Sequence, residues 1–89
     1  MTQHETHRLK RLRYLSGYRG CKETDLILGR FGARHLDGLS PVQLDEYEAL
    51  LREDDAEIYR WYTGQMPVPE RLQNNSVLKM LLAFEVHES

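Results

Sequence analysis

An all-α fold, a single compact bundle of about five short helices spanning residues 1–89, is predicted by three observations. Apolar residues recur at helical spacing along nearly the whole chain, no segment sustains a period of two with β-branched enrichment, and capping residues stand where the periodic runs begin and end. Leu9, Leu12 and Leu15 define helix one, over about 5–16, with Gly17 suited to its end. Helix two, about 21–36, carries Leu26, Ile27, Leu28 and Phe31. Gly20 stands near its N-cap, so Glu23 falls at the third helical position, where a carboxylate accepts from orphan amides. Gly29 and Gly32 lie inside it and each costs ~1 kcal/mol relative to alanine, which predicts a neighbour packed closely against that face.

Helix three, about 41–52, has the clearest start: Ser40 caps, Pro41 fits the first helical position, and Gln43 reaches back. Its apolar stripe is Leu44, Tyr47, Leu50 and Leu51. Asp54 followed by Glu57 repeats the capping-box logic for helix four, about 55–63, and Gly64 occupies the left-handed position that ends it. Ile58, Trp61 and Tyr62 form its inner face, with Trp61 a core anchor that also offers an edge to a partner. Met66-Pro67-Val68-Pro69 cannot continue a helix, because proline lacks a donor and restricts the residue before it. Residues 65–89 are therefore a connector and a last helix, about 76–86, capped by Asn74, Asn75 or Ser76.

Eighty-nine residues leave room for one domain and one economical core. No apolar run approaches the ~20 residues that span a bilayer, so a membrane protein is not expected. One cysteine, Cys21, forms no intramolecular disulfide, and the start carries no apolar signal region. A cytoplasmic location follows, or the mitochondrial matrix if a transit peptide was removed. The net charge of −2 hides a polarity: residues 1–22 hold six Lys/Arg against Glu5 alone, and the remainder holds six basic and thirteen acidic side chains. Such asymmetry steers an encounter with a partner.

Enzyme chemistry finds no support. His4 and His7 lie one turn apart near a terminus, His35 with Asp37 stands at a helix end where histidine suits the dipole, and one cysteine with scattered histidines does not make four zinc ligands. Gly17/Gly20 and Gly29/Gly32 lack the context of a phosphate cradle, so no cofactor is expected to bind the chain by itself. Asp45, Glu46, Glu48, Glu53, Asp54, Asp55 and Glu57 read as a solvated face and a helix start. Arg8, Lys10, Arg11 and Arg13 keep a small DNA-binding or antitoxin-like regulator as the alternative, against which stands the acidic body.

The stretch Tyr18-Arg19-Gly20-Cys21-Lys22-Glu23 contains one residue that capping does not explain. An arginine before a helix start, next to a residue without a side chain, leaves a five-donor fork exposed where another backbone comes close. Tyr18, Arg19, Gly20, Lys22 and Glu23, with Trp61, are accordingly the candidate partner-binding residues.

The pattern Tyr14-x-Ser16-x-x-Arg19-Gly20-x-x-Glu23, followed by Asp25-Leu26-Ile27-Leu28, resembles the succinate dehydrogenase assembly factor 2 family of small flavinylation factors. Leu39, Glu46 to Leu51, Asp54 to Trp61 and Gly64 extend the resemblance over residues 8–64. It implies a five-helix protein, not an enzyme, that binds the flavoprotein subunit of succinate dehydrogenase or fumarate reductase. Covalent FAD attachment then takes place on a histidine of that partner, with Arg19, Gly20 and Glu23 as the motif. Cys21 stands where members often carry methionine, and Gly17 where a basic residue is common.

Overall fold

Five α-helices are laid down in the predicted order in the computed structural model, which describes residues 3–85: α1 Gln3–Gly17, α2 Lys22–His35, α3 Pro41–Leu51, α4 Asp55–Thr63 and α5 Ser76–Ala83. The all-α expectation holds, with no strand among the described residues, and no helix there is long and apolar enough to cross a membrane. Two short 3-10 turns that the periodicity did not foretell, Leu36–Gly38 and Glu70–Leu72, each bury one leucine.

Local chemistry explains the helix boundaries. At α3 the Ser40 hydroxyl accepts from the Gln43 amide at 3.2 Å and the Gln43 side chain accepts from the Ser40 amide at 3.0 Å, a complete capping box with Pro41 at the first position. Asp54 caps α4 through the Ala56 and Glu57 amides, and Gly64 ends it at φ +80°. Of the three candidates for α5, Asn75 is the cap, accepting from the Leu78 amide at 2.9 Å. The helix is shorter than expected, because Phe84 turns extended (ψ 132°); position 86 lies outside the described residues.

The buried stripes follow the 3.6-residue period more strictly than the list of apolar residues suggested. On α1 they are Leu9, Leu12 and Ser16, while Leu15 rotates to the rim. On α2 they are Thr24, Ile27, Leu28, Phe31 and Gly32, leaving Leu26 outside. Phe31 sits centrally, 5.8 Å from the Tyr47 ring and edge-on to Phe84 at 5.5 Å. Of the two glycines in α2, Gly32 shows the close approach predicted for them, whereas Gly29 would accept a Cβ at ordinary contact distance. A Cβ on Gly29 would lie 3.8 Å from the Gly17 backbone, and one on Gly32 3.4 Å from the Ser16 hydroxyl and 3.3 Å from Leu36.

The charge polarity is spent inside the chain. Arg8 of α1 pairs with Asp45 at 2.5 Å and Glu48 at 2.9 Å of α3, Arg11 shares Glu48 at 2.6 Å, and Arg13 pairs with Asp37. Glu53 takes Arg71 through both oxygens. Within the expected solvated acidic face, Asp45 and Glu48 thus form a partly exposed ionic seam that fastens α1 onto α3, since folding brings the two oppositely charged segments side by side.

Candidate docking site

The turn between α1 and α2 departs from the expected cap in one respect. Gly20 adopts φ +106°, a value that L side chains rarely reach, and Cys21 rather than Gly20 is the N-cap, without a side-chain cap bond. Glu23 thus falls at the second helical position. It is exposed, and its hydrogen-bond partner among the described residues is the Cys21 thiol at 3.6 Å. The carboxylate that ties the turn belongs to Asp25, which accepts from the Arg19 amide at 2.8 Å and the Gly20 amide at 3.3 Å. Sequence reasoning missed Asp25, although its backward reach resembles the capping role assigned to Glu23.

Arg19 is the second correction. Its side chain is only 11% exposed: Nε is paired with the Asp55 carboxylate, and Nη2 donates to the Glu53 carbonyl at 2.9 Å. The guanidinium is therefore no free fork but a bolt between the α1–α2 turn and the α3–α4 turn. The Thr24 hydroxyl, donating to the Asp55 carbonyl at 2.8 Å, makes the same connection from α2. Beneath the bolt, the Ser16 hydroxyl donates to the Leu12 carbonyl, so the Tyr47 hydroxyl donates its proton to Ser16 at 2.5 Å. Burial pushes the Tyr47 phenol up to about 12, partly offset by the Ser16 hydrogen bond and by the positive charge of Arg19.

What the turn presents outward is apolar and aromatic, with charges beside it. Tyr14 and Tyr18, 62% and 72% exposed, stack at 4.8 Å between centroids. Leu15 and Tyr18 share a depression of about 380 Å³ with Arg19, Leu51 and the loop 52–55. Gly20, Lys22 and Glu23 are exposed, and a Cβ on Gly20 would meet nothing within 4 Å. Tyr18, Gly20, Lys22 and Glu23 are thus all exposed at the α1–α2 turn, whereas the Arg19 side chain is turned inward.

Trp61 is not among these exposed residues. It is 4% exposed, in the core, and its indole N–H is buried without a hydrogen-bond partner among the described residues. No edge of Trp61 is offered to a partner, because the stripe it shares with Ile58 faces inward. His35 packs on Phe31 and Phe84 at ring distances of 4.8 and 5.7 Å, whereas Asp37 serves Arg13, so the two do not act as a pair. His7 is exposed, the His4 side chain lies outside the described residues, and no metal-ligand cluster occurs among the described residues.

The model of the family described as "Flavinator of succinate dehydrogenase" matches residues 10–85. The match takes in the connector and α5, beyond the 8–64 over which the resemblance was legible. Among curated proteins, the chain is 48% identical over 82 residues to "Succinate dehydrogenase assembly factor 2, mitochondrial" of Meyerozyma guilliermondii, covering 86% of this chain and 61% of that protein. It is 49% identical over 77 residues to the protein of the same name in Candida glabrata, covering 83% and 50%. The Kluyveromyces lactis protein of that name is 47% identical over 77 residues, covering 83% and 47%. The chain thus spans about half to three fifths of the length of these relatives. With the family match running over most of its residues, the chain belongs to the family described as "Flavinator of succinate dehydrogenase".

Proposed function

We propose that this chain is a non-catalytic assembly factor that docks on the flavoprotein subunit of succinate dehydrogenase, or of the related fumarate reductase, and promotes covalent attachment of FAD to a histidine of that subunit. The observation that carries the docking role is the outer edge of the α1–α2 turn: Gly20 has open space before it, and Tyr18, Lys22 and Glu23 stand exposed around it on a backbone held from behind by Arg19. A rigid, glycine-centred edge lets another backbone approach closely, and exposed tyrosines supply contact area at low entropic cost. FAD belongs to the partner in this reading, and the factor holds the partner in the conformation in which the linkage forms. Its place of action is the mitochondrial matrix, in keeping with the names of its relatives, or the bacterial cytoplasm.

The DNA-binding alternative has less support, because Arg8, Arg11 and Arg13 are engaged by Asp45, Glu48 and Asp37. The deciding experiment is co-expression of the flavoprotein subunit with and without this chain, read by in-gel fluorescence of covalent flavin. Flavin signal that rises only with the chain present supports the proposal; equal signal in both lanes removes it.

A further inference from the structure

The Arg19-Gly20 step is held by two aspartates that divide the work. Asp55 takes the Arg19 side chain, and Asp25 takes the backbone, one carboxylate oxygen to the Arg19 amide and the other to the Gly20 amide. The Asp25 amide in turn donates to the Cys21 carbonyl at 2.8 Å, so one residue closes on the turn with both its backbone and its side chain. Hydrogen bonds from amides to an ionised carboxylate are stronger than neutral ones, and here two successive amides share one. None of these contacts consumes the exposed side chains of Tyr18 and Lys22 or the open side of Gly20.

We infer that Asp25 is a positioning residue: it presets the Arg19-Gly20 turn in the shape that presents the docking edge, and it acts on the flavoprotein only through that turn. This rests on the docking role proposed above. A turn that is already ordered avoids the ordering cost on association, so removing Asp25 weakens binding without removing any contact with the partner.

The test uses Asp25→Ala and Asp25→Asn in the full chain, with hydrogen exchange at the Arg19 and Gly20 amides and titration against the purified flavoprotein subunit. Asp25→Ala is expected to speed exchange at those two amides and to lower affinity about tenfold or more, with the helical circular dichroism unchanged. Asparagine keeps one acceptor oxygen but sets an NH2 donor against the second amide, so it is expected to restore one amide's protection and part of the affinity. Wild-type affinity in Asp25→Ala, or unchanged exchange at both amides, overturns the inference. If the alanine variant does not fold, the asparagine variant decides: protection of both amides together with full affinity overturns it. A wild-type chain that fails to bind the subunit overturns the docking role instead, and the exchange data alone then decide whether Asp25 sets the turn.

Discussion

The Arg19 guanidinium is closed on the Asp55 carboxylate, joining the turn after α1 to the first residue of α4. Because the arginine is nearly buried and also donates to the Glu53 carbonyl, its removal strands two acceptors in the α3–α4 turn. Arg19→Ala is expected to cost roughly 1–3 kcal/mol, seen as a melting temperature lower by several degrees. Arg19→Lys should recover little, since an ammonium on a flexible stem does not reproduce the planar fork. An unchanged melting temperature in Arg19→Ala would mean that the bolt contributes nothing.

Substitution at Gly20 mixes two effects, backbone strain and a blocked approach of the partner. At φ +106° an L-alanine is strained by about 1–2 kcal/mol even though its Cβ would stand in open space. Gly20→Ala and Gly20→Arg are therefore expected to lower stability as well as docking. D-alanine resolves the two, since for it this φ is the mirror image of an ordinary extended value. Cys21 directly after Gly20 provides a ligation junction for making that chain. The D-alanine chain should melt like the wild type and still bind the flavoprotein more weakly; full binding would show that the partner does not approach Gly20 closely.

Tyr18 offers the cleanest separation of docking from stability. It is 72% exposed and stacks on the likewise exposed Tyr14, so Tyr18→Ala should change stability by no more than about 0.5 kcal/mol. As an exposed aromatic on the docking edge, its loss should weaken the flavoprotein complex about tenfold. Equal affinity in a pull-down titration would remove Tyr18 from the interface.

Tyr47 gives the chain an alkaline limit. Its phenol is raised to about 12 in the folded protein from 10.0, so the native state holds the proton more tightly than the unfolded chain. The corresponding stability is fully present below pH 10 and is lost as pH rises towards 12, up to ~3 kcal/mol by linkage. Denaturant midpoints measured from pH 9 to 12 should fall more steeply for the wild type than for Tyr47→Phe. At neutral pH the phenylalanine variant should lose about 1 kcal/mol for the missing Ser16 hydrogen bond. Parallel pH profiles for the two proteins would contradict the assignment.

Sequence by itself determined the helices, their order and most of their ends, because the signals concerned act within one turn of chain: Ser40 with Gln43, Asp54 with the next amides, Gly64 at positive φ. It also marked Tyr18 to Glu23 as the segment to inspect, and the pattern around Arg19-Gly20 as a family signature. Which residue of that segment does what was decided only by tertiary structure. Arg19 faces inward because Asp55 and the Glu53 carbonyl, more than thirty residues away, are folded against it. Asp25 rather than Glu23 ties the turn because the helix begins one residue later than its glycine suggested, which rotates one carboxylate towards the turn and leaves the other outside. Trp61 is buried, and Arg8 and Arg11 of α1 are paired with Asp45 and Glu48 of α3, for the same reason: partners distant in sequence are chosen by how the helices pack, and no local spacing records that choice.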